Sequence, residues 1–138
     1  MGEAQALSAR IEAVEQAGRA IRLRLRIRNE SGRALTLMLG GRPAYDFLVK
    51  RLDGTLVWRW QQGKVVQQIL ERRRLAPGEE VVFEATWRLG DARGRRVPAG
   101  EYVVHGILHL EPPEKLSTDP LRVYVPPLKR SRWPGDRD

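Results

Sequence analysis

Few side chains in this 138-residue chain stand at spacings that could do chemistry. Its two histidines, His105 and His109, lie four apart in an apolar run. On a strand they would share a face but stand roughly 13 Å apart, too far to hold one metal ion. None of the four serines, Ser8, Ser31, Ser117 and Ser131, sits in a G-x-S-x-G nucleophile elbow. No Gly-rich loop opens a helix to cradle a phosphate. The chain has no cysteine, which removes disulfides, thiolate chemistry and the commonest zinc sites. Asp46 beside Arg59 could act as an activated carboxylate, but an ion pair across strands is the commoner arrangement. The residues therefore argue against an enzyme, and they imply no cofactor or metal. What remains is charge. The net charge is +8, and only four of the 25 basic residues are lysine. Arg22, Arg24, Arg26 and Arg28 alternate with Ile21, Leu23, Leu25 and Ile27. On a strand these guanidiniums would form a stripe spaced roughly 7 Å apart. It reads either as the solvated face of a half-buried strand or as a site for an anionic protein or nucleic acid.

The elements that would position these groups are strands. Tyr45-Asp46-Phe47-Leu48-Val49-Lys50 and Leu56-Val57-Trp58-Arg59-Trp60 flank Asp53-Gly54, a strong hairpin signal. A two-residue turn sets Leu52 opposite Thr55, Val49 opposite Trp58 and Phe47 opposite Trp60. Phe47, Val49, Trp58 and Trp60 then share a buried face. Asp46, Leu48, Lys50, Val57 and Arg59 share the other, with Asp46 diagonal to Arg59. Upstream, Gln16-Ala17-Gly18 fits a three-residue loop with Gly18 left-handed. That register places Ile11 opposite Leu23, Ala13 opposite Ile21, and Glu12 opposite Arg22.

Leu35, Leu37 and Leu39 predict a short strand that Gly40-Gly41-Arg42-Pro43 breaks. The stretch from Val65 to Arg74 reads as loop plus strand. Val81, Phe83, Ala85 and Trp87 alternate in a further strand, as do residues 102–110 and Leu121 to Val125. Pro98-x-Gly100-x-Tyr102 looks like the tyrosine corner of immunoglobulin-like folds, with the hydroxyl bonded to nearby backbone. The fold expected is all-β, an antiparallel immunoglobulin-like β-sandwich of about 7–9 strands. Residues 1–125 form that single domain, and 126–138 read as a basic, proline-containing, mobile tail. No apolar run is long enough to span a bilayer, so no membrane partner is expected. The first residues lack a signal-peptide pattern, which places the protein in the cytoplasm unless a leader has been removed. Nucleic-acid binding has its electrostatic half only: no recognition helix is evident, and the tail residue Trp133, near Arg130 and Arg132, is the one tryptophan outside the expected core.

The chain resembles the BsuPI family of intracellular proteinase inhibitors. The resemblance rests on Tyr45-Asp46-Phe47, the Asp53-Gly54 turn, Trp58-Arg59-Trp60, Leu75-x-Pro77-Gly78-Glu79, Trp87 and Pro98-x-Gly100-x-Tyr102, over about residues 20 to 125. It departs from the pattern at Gln61, where serine is usual, and at Val65 or Val66, where an aromatic is usual. The resemblance implies an immunoglobulin-like sandwich that inhibits an intracellular serine protease. The matching residues are mainly structural, so the site must be sought in loops. Glu111 to Pro120 is bracketed by prolines and presents Lys115-Leu116-Ser117, with Leu116 suited to a subtilisin-like enzyme, the favoured partner. Gly90 to Val97 carries Arg93, Arg95 and Arg96, suited to a trypsin-like one. Gln61 to Arg74 is the longest of the three.

Overall fold

Period-two alternation decides the layers. In β2 (Ala20–Asn29), Ile21, Leu23, Leu25 and Ile27 are at most 2% exposed, while the arginines between them reach solvent. A computed structural model describes residues 6–128. Expectations for the tail beyond that point, Trp133, Arg130 and Arg132 included, lie outside the described residues. Within them stand ten strands and no α-helix. β2 is the middle of a three-stranded sheet, between β1 (Leu7–Gln16) and β7 (Glu80–Trp87). A second sheet runs in the order β10 (Leu121–Val125), β8 (Gly100–His109), β4 (Tyr45–Lys50), β5 (Leu56–Arg59), with β9 (Lys115–Ser117) also paired to β8. β3 (Leu35–Arg42) and β6 (Gln67–Leu75) make a two-stranded ribbon. Every pairing is antiparallel.

The two larger sheets face each other across one apolar core. At Gly106 the approach is tight: an added Cβ would lie 3.0 Å from Leu25 Cδ1. Trp87 anchors this core at 0% exposure, with Trp58 at 6.3 Å, Tyr102 edge-on at 5.8 Å, and its Nε1 donating to Gly90 O at 2.8 Å. The Tyr102 hydroxyl donates to Pro98 O at 2.6 Å, as the tyrosine-corner spacing predicts.

Several local expectations need correction. The β1–β2 register is two residues further along than the loop pattern implied: Ile11 pairs with Leu25, Ala13 with Leu23 and Glu12 with Arg24. The turn is Gln16–Arg19, closed by Arg19 N–H to Gln16 O at 2.9 Å, and Ala17 as well as Gly18 takes positive φ (51° and 70°). An even shift leaves every side chain on its expected face. Ala17 is strained by its Cβ there, so Ala17→Gly is expected to raise stability by about 0.5–1 kcal/mol. A fall in the urea midpoint would show that Ala17 is unstrained.

The second hairpin closes over Leu52-Asp53-Gly54, with Arg51 N–H to Thr55 O and Gly54 N–H to Arg51 O, each 2.9 Å. Leu52 therefore does not face Thr55. A register shift between Val49 and Lys50 cancels the extra loop residue, so Val49 still meets Trp58 and Trp60 N–H donates to Phe47 O. The irregularity buries Val57, expected on the outer face, to 7% exposure. Finally, Gly40-Gly41 does not end β3. The strand continues to Arg42 through a bulge in which Gly41 takes φ 107°.

The ninth strand, β9, stands where a polar loop was expected. Glu114 N–H donates to Glu111 O and Leu110 N–H to Glu114 O, each 3.0 Å, which turns the chain back so that Leu116 pairs with Leu108. Leu116 is thereby half-buried against the core.

Candidate functional site

The two aromatic segments of the β4–β5 hairpin are clipped together by a buried carboxylate. Asp46 is 0% exposed although it points away from the core. Its Oδ1 accepts from Phe47 N–H and Gln61 N–H, both at 2.9 Å, and its Oδ2 accepts from Arg59 Nε at 3.0 Å and Nη2 at 2.6 Å. Gln61 completes the clip: its Nε2 donates to Tyr45 O at 2.9 Å and Pro43 O at 3.2 Å. Trp60 is thus held flat on Tyr45, 4.5 Å between ring centres, and Tyr45 stacks in turn on Phe83 at 4.8 Å. Lys64 caps the Trp60 ring at 4.7 Å. With one face on Tyr45 and a cation beside the ring, Trp60 is part of the packing. Burial and the charge of Glu84 push the Tyr45 hydroxyl pKa up.

The two histidines stand on the outer face of β8. Burial, then Lys50, lowers the pKa of His105, and its buried Nε2 has no hydrogen-bond partner among the described residues. Burial also lowers that of His109; Asp46 opposes it, while Lys115 and Arg59 reinforce it. Burial thus favours the neutral form of both imidazoles. Among the described residues no three His, Cys, Asp or Glu groups gather to hold a metal.

The arginine stripe of β2 is largely paired within the sheet. Arg24 meets Glu84 at 3.2 Å, Arg26 meets Glu80 at 2.7 Å and also Glu12, and Arg28 meets Glu30 at 3.2 Å. Arg22, opposite Val14 and Thr86, has no carboxylate partner among the described residues. β7 supplies Glu80 and Glu84, a contribution that reading β1 against β2 alone could not reveal.

The three candidate loops differ sharply. Lys115 and Ser117 are exposed but their backbone is paired to β8, and Leu116 is half-buried. Arg93 and Arg95 are exposed at the tip of a tight turn. Asp91 Oδ1 accepts from both their amides at 2.9 Å, Asp91 N–H donates to Arg95 O at 2.8 Å, and Gly94 N–H closes on Asp91 O at 2.9 Å. The Arg95 amide above all, aided by the Arg93 amide and both guanidiniums, holds the Asp91 carboxyl below its ordinary range. Arg96 turns inward: Nη2 donates to Pro126 O at 2.8 Å and Nη1 to Gly18 O at 3.3 Å. The stretch after Gln61 leads into β6, exposed at every position from Gln67 to Arg74.

Comparison with known proteins decides the family. The family described as BsuPI, intracellular proteinase inhibitor, matches residues 9–112. The chain belongs to the BsuPI family. No curated protein matches it. Among solved structures it is similar to the Bacillus subtilis sporulation control protein Spo0M, at 15% identity and TM-score 0.49, covering 86% of this chain and 49% of that one. It is also similar to the Pseudomonas fluorescens alkylpurine DNA glycosylase AlkC bound to DNA containing an abasic site analog, at 12% identity and TM-score 0.47, covering 86% of this chain and 30% of that one. A structural genomics target, SoR45, aligns over 99% of this chain and 100% of its own, at 12% identity and TM-score 0.48. The chain spans less than half of the first two. At these TM-scores none of the three carries an argument about function.

Within this BsuPI protein, the residues that carry the resemblance sit where packing needs them. Phe47 and Trp87 are fully buried, Trp58 and Trp60 pack half-buried against the core, and Tyr45, Asp46, Arg59 and Tyr102 make the bonds above. Two structural residues were not singled out by sequence. Gln61 departs from the family pattern yet clips β5 to β4. Asn29, 1% exposed, donates to Arg33 O at 2.8 Å and to Leu75 O and Ala76 O at 3.1 Å, and accepts from Ser31 N–H at 2.9 Å. Leu75 and Ala76 lie 46 and 47 residues further along the chain, beyond the reach of any local sequence signal. Among the described residues no helix is long and apolar enough to cross a membrane.

Proposed function

We propose that this BsuPI protein is a non-enzymatic inhibitor of an intracellular serine proteinase, acting by offering an exposed segment to the enzyme. The observation that carries the reading is the family match across residues 9–112. Among the three candidate loops, the Asp91-braced turn favours a contact better than Lys115-Leu116-Ser117. Its apex is already exposed and its amides are already fixed, so little order is lost on docking. Leu116 would have to leave Leu108 before it could enter a specificity pocket. A turn presenting Arg93 and Arg95 suits a trypsin-like enzyme, whose primary pocket is acidic. A subtilisin-like enzyme would draw on Leu116.

The test is an inhibition titration against both enzyme types, with the chain followed by mass. Stoichiometric inhibition by an intact or singly nicked chain supports the reading. Losing the anchoring side chain is expected to raise the inhibition constant about thirtyfold or more, the loss of a hot spot worth about 2 kcal/mol. Arg93→Asp with Arg95→Asp tests the turn, and Leu116→Asp tests β9. No inhibition of any serine proteinase by a folded chain would overturn the proposal.

A further inference from the structure

β6 is the exposed margin of the ribbon. Across from it Leu37 is 1% exposed, yet Arg73, its cross-strand partner, is exposed. The strand overhangs the core, and both its faces meet solvent over eight residues, from Gln67 to Arg74. It pairs with β3 on one side, and among the described residues no strand pairs with its other side. No proline or glycine interrupts Gln67–Leu75. An edge of this kind is a template for another strand.

Its side chains are arranged in two halves. Ile69 and Leu70 are 38% and 49% exposed, and Val65 just before the strand is 87% exposed. Arg72, Arg73 and Arg74 follow in succession. Alternation puts Leu70, Arg72 and Arg74 on one face and Ile69, Glu71 and Arg73 on the other. Glu71 is bonded to Arg42, Nη2 to Oε2 at 2.6 Å, so it does not neutralise the three arginines.

We infer that the free edge of β6 binds an extended protein segment, added antiparallel as a further strand, with acidic residues in its N-terminal half and apolar ones in its C-terminal half. Antiparallel addition sets the start of the incoming strand against Arg72, Arg73 and Arg74, and its end against Ile69 and Leu70. Main-chain hydrogen bonds along the edge supply affinity, and the charge gradient sets direction and register. The inference rests on the inhibitor reading in one respect: the segment is assigned to the target proteinase.

The probe is a ten-residue synthetic peptide of three aspartates followed by alternating valine and threonine, with the same residues in reverse order as its control. Amide shifts of the whole protein report where each binds. The expected result is shifts along residues 67–74 with the forward peptide. Binding should be about tenfold weaker for the reversed peptide and for Arg72→Glu/Arg73→Glu/Arg74→Glu. All three arginines are exposed, so this variant should keep its fold. Should it not, a fall of similar size in wild-type affinity between low and high salt serves instead. Shifts elsewhere, equal binding of both peptides, or self-association through β6 in place of peptide binding would overturn the inference. A parallel inhibition titration separates the two proposals. If wild type and triple variant inhibit a proteinase equally, the edge assignment fails and the inhibitor reading stands. If neither inhibits any serine proteinase while the peptide still binds β6, the inhibitor reading fails and the edge site stands.

Discussion

Replacing Asp46 by alanine is expected to lower stability by about 3 kcal/mol, read as a shift in urea midpoint at pH 7. The magnitude follows from what is left behind. Two amides, of Phe47 and Gln61, lose the acceptor they share at 2.9 Å. Each buried unsatisfied group costs about 1–3 kcal/mol. Arg59 loses its partner too, but it is partly exposed and can turn to water. Arg59→Ala removes the charge partner and leaves both amides bonded to the carboxylate, so it should cost less than Asp46→Ala. Asp46→Asn separates the two roles. An asparagine oxygen can still accept from both amides, whereas its amide nitrogen would face the guanidinium. Its loss should lie between those of Arg59→Ala and Asp46→Ala. A loss below 1 kcal/mol for Asp46→Ala would show that water replaces the carboxylate and that the clip is not structural. In a second readout, Trp60 fluorescence should change in Asp46→Ala, because the bonds to Arg59 and Gln61 hold that ring against Tyr45.

Much of this site was legible in the sequence, for a definite reason. Alternation sets which residues share a face, so Phe47 and Val49 read as inward, and Asp46 stands diagonal to Arg59 as expected because the shift at Val49–Lys50 restores the register. The same logic kept the β1–β2 faces right even though the pairing moved by two residues. What failed was local backbone geometry. Nothing in Ala17 announces a positive φ, and Asp-Gly does not reveal whether the loop has two residues or three. Long-range partners were also hidden. The carboxylates that quiet Arg24 and Arg26 come partly from β7, far along the chain. β9 is not legible in the sequence because three residues carry no periodic signal, and Thr118 fastens its end to β8. That side chain accepts from Gly106 N–H through Oγ1 at 3.0 Å while Thr118 N–H donates to Gly106 O at 3.0 Å. Of the candidate contacts, the inward turn of Arg96 depends on two carbonyls distant in sequence, those of Gly18 and Pro126. The exposed edge of β6 could not be read either, since exposure on both faces follows from the overhang beyond the core, not from residue type.

Gly40→Ala is expected to cost about 3 kcal/mol or more, at the upper end of what overpacking does. A Cβ at Gly40 would overlap the carbonyl oxygen of Leu110, with Pro112 Cδ at 3.7 Å behind it. The obstacle is backbone, so no rotamer change relieves it. The glycine is required by this close approach; no positive φ is involved. Gly32→Ala is the control: nothing lies within 4 Å of its Cβ position, and its stability should change by no more than about 0.5 kcal/mol. The site matters beyond stability. Leu39 bridges to Leu110 beside it, joining the β3–β6 ribbon to the end of β8. Forcing the two backbones apart would release the ribbon there, while the buried Leu35, Leu37 and Leu75 still hold its other end. Amide exchange in Gly40→Ala should therefore quicken along β3 and β6 before it quickens along β2. The forward peptide should also lose affinity for β6 under conditions where the variant is still folded. Equal exchange along both sheets would mean that the ribbon and the core open as one unit, and that the bridge at Leu110 does not set the position of the exposed edge.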